Sequence, residues 1–165
     1  MSKGVVHVKA SLFLAAGFSI GALATQDAGM LECAAGAIVG TIVTPDWDVD
    51  KSFIGNAIVK KRLGWFAERV WNFVLTPYKK SFKHGQFASH FPIFSTFVRL
   101  FYIYFWIFLF YLLTMAIAII AGDTFDLNYE LIWWATFLLQ PAPLIGLICS
   151  DIIHWALDIL TTERS

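Results

Sequence analysis

Phe101–Leu113 reads FYIYFWIFLFYLL, a run of large apolar and aromatic side chains without a charge in it. It lies inside a longer apolar stretch, Phe91 to Ala121, which exceeds the ~20 residues a helix needs to cross ~30 Å of hydrocarbon. The fold class follows from it: this chain is built for lipid. Composition agrees, since 58% of the 165 residues are hydrophobic, 17% are aromatic and only 15% are charged. The mean hydropathy is +0.67, outside the ordinary soluble range. Formal net charge is zero, so no bulk basic field points to nucleic acid as a partner.

Working outward, Leu131 to Ser150 is a second full-length apolar stretch, while Ala10 to Thr25 and Cys33 to Val43 are shorter and rich in Gly and Ala. The expectation is an all-α membrane protein of about four membrane-embedded helices, over residues 10–25, 30–44, 93–121 and 131–150. All lie in one polytopic domain, 1–165, with an interfacial segment over 45–92. GFSIG (Gly17 to Gly21) and GAIVG (Gly36 to Gly40) carry the small-xxx-small spacing that lets helices approach closely. They read as a tightly packed helical hairpin or, being short, as a re-entrant pair. Lys3 and Lys9 before an apolar run ending in Ala22-Leu23-Ala24 also have the form of a secretory signal; the segment is expected to be retained as the first span.

The twelve Lys and Arg residues orient the chain. They fall before the first span, between the second and third (Lys51, Lys60, Lys61, Arg62, Arg69, Lys79, Lys80, Lys83, Arg99), and at the C-terminus (Arg164). The turns 26–32 and 122–130 carry only acids. By the positive-inside rule both termini and the long central segment are cytoplasmic. Within that segment Leu63 to Leu75 places Phe66, Val70, Phe73 and Val74 on one helical face. Trp65 and Trp71 suit the headgroup zone. It reads as an interfacial helix on anionic lipid, or as a helix packed on its own protein.

This topology gathers polar residues that look scattered in the chain. All four histidines, His7, His84, His90 and His154, fall on the cytoplasmic face. So do Asp46, Asp48 and Asp50 of TPDWDVDKS and the pair Asp151 and Asp158. Asp151, His154 and Asp158, at i, i+3 and i+7, share one helix face. The Asp-x-Asp-x-Asp run is not a calcium loop, because Lys51 stands where Gly is needed and Ala57 where the closing acid is needed. Taken alone it is equally an ordinary helix exit into water. Cys33 and Cys149 read as small buried hydrophobes rather than a disulfide. Histidine and carboxylate without thiolate form a ligand set suited to Zn²⁺, Mn²⁺ or Fe²⁺, held as one or two ions with positions open for water and substrate.

The same residues carry a family resemblance. An early histidine (GVVHVK), Pro-Asp-x-Asp closing the second apolar segment, a Trp-rich stretch into Pro-Tyr (WNFVLTPYKKSFKH), a two-histidine element (HGQFASHFP) and a terminal His-x-x-x-Asp (HWALD) occur in that order. In this the chain resembles a family of bacterial and phage membrane proteins, described as metal-binding proteins or membrane-bound metal-dependent hydrolases. The resemblance implies metal ligation by His7, Asp46, Asp48, His84, His90, His154 and Asp158, and a bacterial inner-membrane location. The chain departs from the family at Gly85, Phe91 and Val8, where the relatives commonly carry Arg, Gly and an acid. The loss of that Arg removes a bidentate clamp for phosphate or carboxylate.

The functional expectation is hydrolysis, at the cytoplasmic membrane surface, of a lipid or lipid-linked ester or phosphoester. Zn²⁺ is the expected metal, with Asp50 as base or as the outer partner of a histidine. The alternative is a non-catalytic accessory or structural subunit stapled by its metal. Expected partners are membrane lipids, and either another protein or a second copy along FYIYFWIFLFYLL.

Overall fold

The computed structural model describes residues 3–48, 54–82, 91–122, 133 and 136–162. Among them there are helices and no strands. They are α1 (Lys3–Thr25), α2 (Ala28–Val39), a 3-10 turn (Pro45–Asp48), α3 (Ile54–Ser81), α4 (Pro92–Ala121), a second 3-10 turn (Phe137–Leu139) and α5 (Pro141–Thr162).

Local chemistry sets the boundaries. Asp27 caps α2 by accepting a hydrogen bond from the Gly29 amide at 2.9 Å, while Gln26 takes a positive φ of 54° to turn the chain out of α1. Pro92 opens α4, with Phe91 extended before it. Gly122 closes that helix in the left-handed conformation at φ 78°. Pro141 likewise opens α5, and Gln140 before it is extended.

The helix limits differ from those of the apolar runs. α5 begins at Pro141 and runs to Thr162, because the residue before a proline is kept out of the helical region. His154 and Asp158 lie within this helix, as their shared face requires. α1 begins at Lys3 rather than near residue 10, which puts His7 inside that helix. Gly4–Thr25, Pro92–Ala121 and Pro141–Leu160 are long and apolar enough to cross a membrane. α2, of 12 residues, is only about 18 Å long at 1.5 Å per residue.

The core has two parts. Ala15 of α1 meets Ala34 and Ala37 of α2, flanked by Leu14 and Phe18. Val43, Trp47, Leu75, Tyr78, Leu100 and Leu147 form a larger cluster that joins α2, the 3-10 turn, α3, α4 and α5. The small-residue motifs serve two approaches: a Cβ on Gly21 would lie 2.9 Å from Met30 Sδ, across the α1–α2 hairpin. A Cβ on Gly36 would lie 1.9 Å from the Pro143 carbonyl oxygen, and one on Gly146 would lie 1.9 Å from that of Cys33. Gly36 thus serves the α2–α5 approach. Gly17 of the GFSIG motif has nothing within 4 Å. Both cysteines are free thiols.

α3 is two helices merged across a break at Gly64, whose φ of 85° and ψ of 179° only glycine adopts readily. Its inner face packs on the protein: Trp71 and Tyr78 each set an edge against Trp47, and Tyr102 of α4 donates a hydrogen bond to the Val74 carbonyl. Trp71 is therefore an internal contact. The outer face leaves Trp65, Phe66, Val70 and Phe73 exposed, with Lys60, Lys61, Arg62, Lys79 and Lys80 towards its ends.

α4 buries only its first turns, at Pro92, Ser95, Thr96, Arg99 and Leu100. Arg99, expected in a loop, is fully buried in the helix and pairs with Asp151 of α5, to which Thr96 also donates. Beyond Leu100 the aromatic stretch points mostly outward.

Candidate metal centre

The side chains that converge come from three places in the chain. His7 stands in the second turn of α1, Asp46 in the 3-10 turn after α2, and His154 and Asp158 on successive turns of α5. α1 and α5 are joined by a buried Ser11–Ser150 hydroxyl hydrogen bond of 2.7 Å. A Cβ on Gly40 would lie 2.4 Å from Ser150 Oγ, so the end of α2 sits directly on that pair. With the three helices so close, His7 and His154 stack face to face, their ring centroids 3.8 Å apart and their planes at 16°.

Around the stacked rings the carboxylates close in. His7 Nε2 lies 3.1 Å from Asp158 Oδ1, and His154 Nε2 lies 3.4 Å from both Asp158 Oδ2 and Asp46 Oδ1. Both histidines are buried, at 6% and 5% exposure, whereas the Asp46 and Asp158 side chains keep 21% and 28% of their surface in contact with solvent. Thr44 Oγ1 lies 3.3 Å from His154 Nδ1 on the far side of that ring. A cavity of about 10 Å³ opens between His7, Ser11, Gly40, Thr44, Asp46 and His154, about the room that one water or one ion occupies.

Four features of this cluster fit a divalent cation. Ligand atoms of His7, His154 and Asp158 lie within 4.8 Å of one another. The individual separations of 3.1 and 3.4 Å match the edges, about 3.4 Å, of a tetrahedron of ligands held about 2.1 Å from an ion. His7 Nδ1 is a buried atom without a hydrogen bond, which native structures rarely leave unanswered, and His154 Nε2 has two carboxylate oxygens 3.4 Å away. Charge points the same way. Two imidazolium rings stacked at 3.8 Å would repel by about 4 kcal/mol at an effective dielectric of about 20. Two carboxylates stand against these rings and supply negative charge for a cation. Burial works against the Asp46 charge, but His154 and His7 outweigh it and hold that carboxyl below the usual range.

Of the ligands expected from sequence, His7, Asp46, His154 and Asp158 meet. Asp48 ends the 3-10 turn, and its side chain lies outside the described residues, as do Asp50, His84 and His90. Asp151 departs from the expected stripe. It faces Arg99 and Thr96 of α4, one turn before His154, because a fully buried guanidinium needs a counter-charge. Two participants were missed. Thr44 was passed over although it stands two residues before Asp46, a spacing at which a hydroxyl bonds a following backbone amide. Arg99 was counted as a loop cation although it lies well inside an apolar stretch, where an ionisable residue signals a specific partner.

The model of the uncharacterized metal-binding protein family (DUF2227) matches residues 2–165. No curated protein and no solved structure matches the chain.

Proposed function

The chain belongs to this metal-binding family, and from that premise we propose that it is an integral membrane protein whose His/Asp centre holds a divalent ion for hydrolysis of a lipid or lipid-linked ester or phosphoester. The observation that carries the reading is the meeting of His7, His154 and Asp158 at ion-cage spacing, with Asp46 3.4 Å from His154 Nε2 and two partly exposed carboxylates. Buried imidazoles anchor an ion; the solvent-facing carboxylate edge leaves an approach for a substrate. A bound divalent ion lowers the pKa of its water towards about 7 and polarises a phosphoryl or carbonyl oxygen. Zn²⁺ suits this nitrogen and oxygen set best, with Mn²⁺ or Fe²⁺ next.

In the full proposal Asp48, His84 and His90 complete the ligand set for one or two ions, on the strength of the family resemblance. Asp50 serves as base or orients a ligand. α1, α4 and α5 cross the membrane, α2 with the residues after it makes the short fourth passage back to the cytoplasmic side, and both termini lie in the cytoplasm of a bacterium. α3 lies along the cytoplasmic interface, a placement supported by its exposed Trp65, Phe66, Val70 and Phe73 beside basic residues that suit anionic headgroups. The site then stands at the level where lipid esters and phosphates are found.

One observation favours a second reading, in which the ion only ties α1, the 3-10 turn and α5 together. The cavity at the cluster is about 10 Å³, enough for an ion but not for a substrate group. The two readings part in one experiment. The protein is purified in detergent, its metal is counted per chain, and headgroup release from bacterial phospholipids is followed with and without chelator. Chelator-sensitive release supports hydrolysis. Full metal occupancy with an intact lipid pool across a broad panel sinks hydrolysis, and a chelator-induced fall in melting temperature then supports the staple.

A further inference from the structure

The Thr44 side chain is buried at 6% exposure and coordinates nothing in the proposed cage, yet it touches two members of it. Its hydroxyl lies 3.3 Å from His154 Nδ1, and the Asp46 amide donates to that same oxygen at 3.5 Å. Pro45 stands between the two and fixes the backbone turn that lets Thr44 and Asp46 both look back at α5. We infer that Thr44 is a positioning residue for the metal, which selects the nitrogen that His154 presents and sets Asp46 against it. The inference rests on metal binding by this cluster and goes beyond it to a residue outside the ligand set.

A hydroxyl carries one donor and two acceptor sites. The Asp46 amide takes one acceptor site. The other accepts from His154 Nδ1–H, and this leaves the lone pair on Nε2, the nitrogen that faces Asp46, Asp158 and the cavity. That is the ligand tautomer. Without an ion, two carboxylates beside Nε2 favour a proton there. The same hydroxyl then turns to donate to a neutral Nδ1, or goes on accepting from an imidazolium. Thr44 thus serves both states by rotating one O–H bond. Valine in its place has the same shape and offers neither role, so His154 Nδ1–H in the ligand tautomer is left buried without an acceptor.

The test uses the full-length protein in detergent, with Zn²⁺ affinity measured by competition with a chromophoric chelator. Thr44→Val is expected to weaken binding by about 10–100-fold, the usual cost of losing a partner that orients a metal-bound histidine. Thr44→Ser, which keeps the hydroxyl, is expected to restore it. In Zn²⁺-loaded, ¹⁵N-histidine-labelled wild type, the His154 signals should report a protonated Nδ1 and a metal-bound Nε2, and in Thr44→Val this pattern should be lost. The inference falls if Thr44→Val binds as tightly as wild type with unchanged ¹⁵N signals. It falls equally if Thr44→Ser is as weak as Thr44→Val, since the methyl group and not the hydroxyl then matters. Wild type that takes up no Zn²⁺ sinks the metal-binding reading itself, a different result from either of these.

Discussion

His154 is the residue through which the cluster is connected: its ring stacks on His7, its Nε2 faces two carboxylates, and its Nδ1 meets Thr44. Removing it takes away a ligand and both neighbours' counterpart at once. His154→Ala is expected to lower metal affinity by more than about 100-fold, beyond the cost of losing an orienting partner, as read by metal content after dialysis. Arg99 and Asp151 give a contrasting expectation one turn away. Both are almost fully buried, so deleting one charge strands the other. Asp151→Leu alone should destabilise by about 3–5 kcal/mol, whereas Arg99→Met with Asp151→Leu should be close to neutral. Equal losses in the single and double variants, in thermal unfolding, would refute a purely structural pair. His7, Asp46, His154 and Asp158 were legible as candidate ligands because ligand chemistry belongs to residue type. The true partner of Asp151 was not, because a helical stripe shows which residues share a face and not what the face meets.

At the scale of elements, the approach of α2 to α5 governs the site, since α2 delivers Thr44 and Asp46 while α5 delivers His154 and Asp158. Two glycine contacts set that approach, each with no room for a Cβ. Gly36→Val or Gly146→Val should therefore push the helices apart, lower the melting temperature and weaken metal binding together. Gly17→Ala, at a helical position with nothing within 4 Å, should be neutral or stabilise by roughly 0.5–1 kcal/mol. Comparable damage at Gly17 and Gly36 would refute this packing. The small-xxx-small spacing is visible in the sequence, but which helix each glycine meets is not. The helix limits show the same division: Pro92 and Pro141 each open a helix, while the residues those helices meet are not visible in the sequence.

For the whole molecule, an ion that ties three segments together is expected to stabilise the fold. A ligand present at about 100 times its dissociation constant contributes about 2.7 kcal/mol. Chelation should accordingly lower the melting temperature, and Zn²⁺ should restore it. Metal affinity is also expected to depend on pH in one direction. Asp46 has its carboxyl held below the usual range, so it stays charged well into acid, while an imidazole nitrogen must be free of its proton to take an ion. Affinity should fall as pH drops from neutrality. A titration in which it is flat from neutrality down to about pH 4.5 and falls only in the carboxylate range would place the ion on the carboxylates alone.

Helix content, the apolar lengths that suit a membrane, the caps at Asp27, Pro92 and Gly122, and the residue types of a hard-to-borderline metal site were all present in the sequence. Each depends on a residue and its near neighbours, and so survives without knowledge of the fold. Tertiary structure alone decided that Gly36 and Gly146 bring α2 onto α5, that His7 stacks on His154, that Asp151 turns to Arg99 and that Thr44 stands behind the His154 ring. Those outcomes depend on how each helix is rotated and how closely it approaches its neighbours. Contacts between residues distant in the chain set both, and no local pattern encodes them.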